Sequence, residues 1–475
     1  MKKSALIAVV VLLFAGVSFA SDISNLESLA AGSYPRGIVI ADIDGNGVNE
    51  VIVANFGADT LIGQENTVEP HSSVMVFAGN SRKDIMVGKS PRGLAAGDLD
   101  GDGIADFVSS NYGDGTISIV TEKGARVTAL AAGKYPVGIA IGDVNGDKLN
   151  DIAVAIYGEN KVIVYLNDKK DGWKSIEAAV PGSPTDVTIG KIGNDVVIAS
   201  ANYTAGTISI LKVRGGALEK TSDVKAGAGV CKVEIADVTG DKVSDLVAAN
   251  FHDNTISVLR QNAAGSLDDQ VIYKLNGSRP NGMAVVDLNN DGLMDVVAAN
   301  RDSDTIDILT QKNGVLEITL SITVTGDEKK DYGPVEVAAG DINGDGLPDI
   351  VFTHMRSNTI RILNQVKMSA LGVKDPVFAE EINGSNTYNY PNPCKDKTTI
   401  RFSLSKSVDV RIVISDLAGK QVWSKAIPAI DARVGINNVD WNVVNDFGAA
   451  AANGVYLLKV FAGDKVITKK IAVVK

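Results

Sequence analysis

The chain has 475 residues, with 57 acidic against 46 basic side chains and a net charge of −11, so no nucleic-acid partner is expected. Glycine is abundant (48) and aromatic residues make up only 5%. Two cysteines, Cys231 and Cys394, are too few and too far apart to build a disulfide framework, so both are read as free thiols and something else must fasten the fold.

In chain order, Lys2 and Lys3 precede an apolar run, Ala5 to Val17, that is too short to cross a bilayer, and Ser18-Phe19-Ala20 puts small residues at a cleavage position. Residues 1–20 are expected to be a secretory signal peptide, with a mature chain beginning near Ser21. No later run approaches transmembrane length, so no membrane span is expected and the protein is placed outside the inner membrane.

Beyond the leader, self-similarity dominates the sequence. Six nonapeptides carry oxygen-bearing side chains at positions 1, 3, 5 and 9: Asp42, Asp44, Asn46 and Glu50; Asp98, Asp100, Asp102 and Asp106; Asp143, Asn145, Asp147 and Asp151; Asp237, Thr239, Asp241 and Asp245; Asp287, Asn289, Asp291 and Asp295; Asp341, Asn343, Asp345 and Asp349. Their first residues are spaced by 56, 45, 94, 50 and 54, and 94 is twice 47, so one repeat lacks its acids. Fourteen residues after the first Asp stand Phe56, Tyr112, Tyr157, Phe251, Arg301 and Met355, and Tyr203 occupies that register in the gap. Counting back from Tyr203 puts Ile189, Lys191, Gly193 and Val197 at the ligand positions of an acid-free fourth repeat.

Each repeat reads as strand, acidic loop, strand, turn, strand and a weaker fourth strand, which is one propeller blade. The second strands, such as Val51-Ile-Val-Ala54 and Leu246-Val-Ala-Ala249, are nearly all apolar, as a sheet packed on both faces requires. The segment Asn25–Pro35 resembles the fourth-strand segment Ala125–Pro136, whereas the seventh repeat shows no clear fourth strand of its own. The N-terminal strand is therefore expected to complete blade seven and close the ring, hiding edges that would otherwise aggregate. The predicted fold is all-β: a seven-bladed β-propeller over residues 21–366, a linker over 367–388, and an immunoglobulin-like β-sandwich over 389–475.

Oxygen donors at positions 1, 3, 5 and 9, with a backbone carbonyl at 7, can surround one hard cation, and glycine at 4 or 6 lets the chain turn around it. Three or four carboxylates within nine residues repel one another unless a cation lies between them. Calcium tolerates such an irregular cage, whereas zinc would want His or Cys. About six Ca²⁺ sites are expected. Without the two leader lysines the charge balance is −13, and six Ca²⁺ would bring it to −1, so the acidity needs no basic partner. EF-hand and dockerin loops need helices beside them, and the β-rich runs on either side make that reading the weaker one. Lys148 and Lys242 at position 6, and Thr239 at position 3, mark the weaker sites.

The unit Pro-x-Gly-Ile-Ala-x-x-Asp-x-Asn-x-Asp-Gly-x-x-Asp-x-x-Val-Ala-Asn, followed by Thr-Ile-x-Ile-Leu, resembles the FG-GAP/VCBS repeats of integrin-α-type propellers over about residues 21–366. The resemblance implies calcium in the loops between first and second strands, and ligands on the opposite face or between blades. Such propellers occur in adhesins and lectins and beside lyases and phospholipases. The empty fourth repeat, and Glu50 as last ligand of the first, depart from the pattern.

From Tyr390 a second β-rich unit begins, with strands read at Thr398–Leu404, Val408–Ile414, Val439–Trp441 and Gly454–Val460, and a final hairpin through Gly463-Asp464. Pro391-Asn392-Pro393, Asp416 with Gly419-Lys420, Trp441, Gly454-Val455-Tyr456 and Lys469-Lys470 resemble the C-terminal sorting signal of type IX-exported proteins and the related domain of flagellar hook-capping proteins. This resemblance implies passage across the outer membrane with the secretion machinery as partner, and release or attachment at the cell surface.

No nucleophile elbow, phosphate loop or dinucleotide fingerprint occurs, and His71, His252 and His354 are scattered loop residues. By ring symmetry Phe56, Tyr112, Tyr157, Tyr203, Phe251 and Arg301 recur on the face opposite the calcium loops, where aromatic faces suit sugar rings; packing between blades is the plainer reading of the same residues. Tyr34 and Tyr135, in the connections between blades, are candidates to join that face, and the insertion Leu61–Ser73 is a candidate contact loop. The expected function is binding or adhesion to an extracellular glycan or protein, with a polysaccharide lyase or hydrolase and a structural surface component as alternatives.

Overall fold

The computed structural model describes residues 13–14, 17–19, 27–57, 73–79, 81–169, 172–262, 266–267, 269–324, 333–355, 357–367, 387–390, 392–404, 408–416, 420–428, 432, 435–446, 448–462 and 465–474. His71, the turn at 463–464 and most of the insertion and linker lie outside these residues. The chain divides into two compact units, Met1–Lys367 and Met368–Lys475.

Seven four-stranded sheets make up the first unit among the described residues. Six run through consecutive strands; blade two, for example, is Pro91–Gly97, Asp106–Asn111, Thr116–Thr121 and Arg126–Ala131. The seventh joins Pro334–Gly340, Asp349–His354 and Thr359–Leu363 to Glu27–Ala30, which pairs in the register Glu27↔Ile362 to Ala30↔Thr359. The N-terminal strand thus closes the ring. A further small sheet pairs Val17–Phe19 with Gln365–Lys367 and with Leu13–Phe14, inside the segment read as a leader.

Every second strand is buried along its six blade-core residues, which is why these strands are apolar without alternation. Their side chains fill the seams between blades. Val108 and Ile117 of blade two pack in one cluster with Ile152 and Val154 of blade three. Val51 and Val53 of blade one pack with Val351, Ile360 and Ile362 of blade seven, so the core continues across the closure. Each fully buried Ile or Val contributes about 1.5–3 kcal/mol, and each seam carries several.

Blades connect through one repeated turn. The residue before the first strand takes a left-handed backbone, at Tyr34, Ser90, Tyr135, Ser183 and Arg279 (φ 51–61°), and a proline follows each. Its carbonyl accepts the amide of the residue after the second strand: Tyr112 N–H to Ser90 O (3.0 Å), Tyr157 to Tyr135 (3.1 Å), Tyr203 to Ser183 (3.1 Å) and Arg301 to Arg279 (3.0 Å). This hydrogen bond gives the recurring aromatic position its fixed place in blades one to six.

The second unit stacks a three-stranded sheet (Tyr388–Tyr390, Thr398–Leu404, Gly435–Trp441) and a four-stranded one (Gln421–Ile427, Val410–Ser415, Gly454–Ala462, Lys465–Val473). Ile400, Phe402, Ile412, Ile414, Leu458, Val460 and Ile471 alternate inward and enclose Trp441 between the sheets. The indole donates to Val444 O (2.7 Å), and Tyr456 lies edge-on against it and donates to Ala452 O (2.8 Å). The strand Gln421–Ile427 has no counterpart among those read from the sequence. It is an edge strand that mixes exposed Gln421, Lys425 and Ala426 with Val422, Trp423 and Ile427, which pack partly against the core, so it carries no clean apolar period to read.

Candidate metal loops and an axial cavity

The acidic nonapeptides all sit at one end of the blades. Each loop begins after the last residue of the first strand, whose partner across the ladder is the acid at position 9: Ala41↔Glu50, Gly97↔Asp106, Gly142↔Asp151, Ala236↔Asp245, Val286↔Asp295 and Gly340↔Asp349. The Asp at position 1 accepts two or more loop amides. Asp98 takes Gly101 N–H (2.6 Å) and Gly103 N–H (3.0 Å), and Asp341 takes Gly344 and Gly346 N–H (both 2.7 Å). Position 5 accepts the amide two residues on, as Asp102 does from Ile104 (2.8 Å) and Asp241 from Val243 (2.8 Å). Both turning positions are left-handed at Gly101 and Gly103 (φ 82° and 86°). Lys148 and Lys242 adopt the same conformation (φ 71° and 67°) at a cost of about 1 kcal/mol each relative to glycine.

Position 9 is the buried member. Asp106 accepts Leu99 N–H (2.9 Å), and Asp151 accepts both Val144 N–H (3.0 Å) and Asn167 N–H (2.8 Å). Burial, offset in part by these amides and reinforced by the neighbouring loop acids, pushes Asp106, Asp151, Asp245, Asp295 and Asp349 up to about 6 and raises Glu50. In blades one and two the oxygens of positions 1, 3 and 9 converge: Asp42, Asp44 and Glu50, and Asp98, Asp100 and Asp106, each lie within 4.8 Å of one another. In the other four loops position 3 is Asn145, Thr239, Asn289 or Asn343, so fewer charges meet. In blade seven Asn343 turns its amide nitrogen toward Asp349 (3.1 Å). The two clusters could hold a metal ion. Their all-oxygen donors suit a hard, irregularly coordinated cation such as calcium.

Blade four has no such loop. Its first two strands continue to Ile192↔Asp195 and join through a two-residue turn at Gly193 (φ 62°) and Asn194.

At the opposite end of the blades a cavity of about 780 Å³ opens on the ring axis, lined by first-strand residues of all seven blades. Of the residues singled out in the sequence, Tyr112, Tyr157, Tyr203, Phe251 and Arg301 line it. Phe56 is not in its lining; it is 4% exposed, beneath the Arg36 guanidinium and against Tyr112. Arg92 lies over Tyr112 and Arg301 over Phe251. Tyr135 stacks on Tyr112 (4.5 Å, 14°), and Tyr203 shares a 2.9 Å hydrogen bond with His252 Nε2.

Deeper in the cavity lies a charge cluster that no sequence motif announces. Lys232 contacts Asp186 (3.2 Å) and Glu336 (3.5 Å), Thr188 donates to Glu234 (3.3 Å), and Val233 N–H donates to Asp186 (3.1 Å). Burial and the neighbouring Asp186 charge push Glu234 up to about 7. Glu336 also reaches about 7 through burial, with Lys232 opposing and Asp186 adding to the rise. Burial works against the Lys232 charge, yet Asp186, Glu336 and Glu234 outweigh it and hold its ammonium above the usual range. Aligning the blades exposes the signal. The third residue of the first strand is Gly37, Gly93, Gly138 and Gly282 in four blades but Asp186, Lys232 and Glu336 in three. The glycines have no room for a side chain: a Cβ at Gly93 would meet Val137 O at 2.2 Å.

Residues 98–154, 237–298 and 287–352 match the FG-GAP-like repeat, and residues 389–474 match the secretion system C-terminal sorting domain. No curated protein matches the chain. Among solved structures, BBS1N in complex with ARL6DN, soaked with lead, is similar at 10% identity, covering 72% of this chain and 95% of that one, with a TM-score of 0.51. That likeness speaks to the propeller fold alone. PorZ, a surface component of the type-IX secretion system of Porphyromonas gingivalis, aligns at 15% identity over 96% of this chain and 61% of its own, with a TM-score of 0.46. The periplasmic gluconolactonase PpgL of Pseudomonas aeruginosa aligns at 14% identity over 62% and 85%, with a TM-score of 0.44. Among the described residues no helix is long and apolar enough to cross a membrane. The chain is thus built of FG-GAP-like propeller repeats and a C-terminal type IX sorting domain, which engages the secretion machinery and directs the protein to the bacterial cell surface or beyond.

Proposed function

We propose that this is an exported binding module whose six acidic loops hold Ca²⁺ and whose axial cavity takes an extracellular glycan or protein. In this reading Asp42, Asp44, Asn46 and Glu50, and their counterparts in blades two, three, five, six and seven, supply the oxygens, and the cation neutralises acids that otherwise repel. The observation that carries the binding role is the axial cavity, whose wall holds half-buried Tyr112, Tyr157 and Tyr203, with Phe251 deeper, beside Arg36, Arg92 and Arg301. Stacking surfaces beside hydrogen-bond donors are what a sugar ring or an extended peptide needs.

The raised carboxylates Glu234 and Glu336 support a second reading, a polysaccharide-active enzyme. Against it, Lys232 ties Asp186 and Glu336 into a fixed ion-pair network. The test is a glycan array with and without EDTA, run beside a turnover assay on acidic polysaccharides. Binding without turnover supports the module. Turnover abolished by Glu336→Gln would replace it with the enzyme.

A further inference from the structure

Going deeper into the same cavity, and resting on its reading as a binding site, the geometry points to an anionic sugar as its ligand: a pyranose bearing a carboxylate or sulfate, stacked on the tyrosines with its acid group facing the arginines. Three observations carry this.

The first is charge. The lining holds four cations, Arg36, Arg92, Lys232 and Arg301, against three carboxylates, Asp186, Glu234 and Glu336. Arg301 also pairs with Asp302 beside the lining (3.0 Å), so cations and acids balance here, in a chain whose net charge is −11. Three guanidinium groups on a concave wall draw in an anion that the acidic rest of the surface repels.

The second is arrangement around the ring. Arg301 belongs to blade six and Arg36 and Arg92 to blades one and two, so the three arginines lie along one arc. Tyr157 and Tyr203 follow on blades three and four and form the other, while Tyr112 and Phe251 carry Arg92 and Arg301 on their faces. A sugar ring on the aromatic arc presents its equatorial acid group across the cavity. Guanidinium is the donor that meets a carboxylate or sulfate through paired N–H groups.

The third is preorganisation. Arg36, Arg92 and Arg301 are laid over Phe56, Tyr112 and Phe251 at 4.7, 5.4 and 4.8 Å, so their long side chains are already ordered before a ligand arrives. Phe56, buried and off the cavity wall, acquires a purpose in this scheme as the platform that holds Arg36.

The test is direct binding to the full chain in saturating calcium, using three probes: polygalacturonate oligosaccharides (carboxylate), dextran sulfate oligosaccharides (sulfate) and plain dextran oligosaccharides (neutral). At least one anionic probe should bind at least tenfold tighter than dextran, and affinity should fall as salt is raised from 50 to 500 mM. The double variant R36Q/R92Q should lose at least tenfold toward that probe. Tyr157→Ala, which keeps every arginine, should weaken it as well. The comparison between the carboxylated and sulfated probes names the acid group. Equal binding of dextran and the anionic probes, or anionic binding indifferent to R36Q/R92Q in a variant with an unchanged melting temperature, would overturn the inference. In that case a neutral glycan or a protein found on the array would still leave the binding module standing. If R36Q/R92Q unfolds, the salt dependence of the unaltered protein and the Tyr157→Ala variant decide alone, and binding unaffected by either overturns the inference.

Discussion

Blades two and four build the same sheet by different means at the same end. In blade two, four carboxylates crowd the nine residues from Asp98 to Asp106, and their amide hydrogen bonds leave excess charge around buried Asp106. In blade four, Gly193 and Asn194 turn the chain in two residues and the ladder simply continues to Ile192↔Asp195. Both blades bury their second strands completely over the blade core. The comparison teaches that a blade needs no acids to form. The six acidic loops therefore carry more repulsion than the fold demands, and a bound cation would turn them favourable. A ligand that binds only the folded chain adds about 1.4 kcal/mol per site at ten times its Kd.

The strongest way to break this contrast is chelation. If all six loops are filled, EDTA should remove up to about 8 kcal/mol of stability, seen as a large fall in melting temperature that calcium restores and magnesium does not. A smaller and more selective effect should follow from Asp106→Asn. The amide still accepts from Leu99 but carries no charge, so the metal-free protein should gain about 1–2 kcal/mol while the calcium-loaded protein loses a similar amount. Asp195→Asn, the matching change beside the blade-four turn, removes an exposed ion pair with Lys212 and should show no calcium dependence in parallel melts. If Asp106→Asn shifts both states the same way, the loop is a turn and nothing more.

The axis sharpens the comparison differently, since blade four lacks loop acids yet sends Asp186 inward. Glu234 faces Asp186 and Thr188 of blade four, Lys232 of its own strand and Glu336 of blade seven. Its folded pKa stands at about 7, above the usual 4.5, so the stability linked to it is present in full below pH 4.5 and is lost as pH rises through 7. Calcium-saturated protein should lose stability between pH 5 and 8, and Glu234→Gln should flatten that loss by about 1–2 kcal/mol in urea titrations at the two pH values. An unchanged slope would separate the cluster from the pH response. The smallest effect belongs to Gly193→Ala, which forces a side chain into a left-handed turn (φ 62°) and should cost about 1 kcal/mol with or without calcium.

Much of the propeller was legible because its signals are local. Apolar second strands and acids in a fixed register survive in any single repeat, and the N-terminal strand betrayed its place by resembling Ala125–Pro136. The acid-free repeat could be located too, although nothing local marks its shortened hairpin. Depth was not legible. Phe56 and Tyr112 share a register position, yet Arg36 covers the first and the cavity exposes the second. Asp186, Lys232 and Glu336 each stand alone in their repeats, with no motif around them. Only the convergence of seven first strands on one axis brings them together, and that is a property of the ring rather than of any one repeat.

The most direct test of the central claim is the metal content of the purified, exported protein after dialysis against trace calcium. Calcium at several equivalents per chain, up to six, falling stepwise as the position-1 aspartates Asp42, Asp98 and Asp341 are replaced by alanine, is the predicted result. Protein that contains no calcium, and whose melting temperature is the same in EDTA, would contradict it.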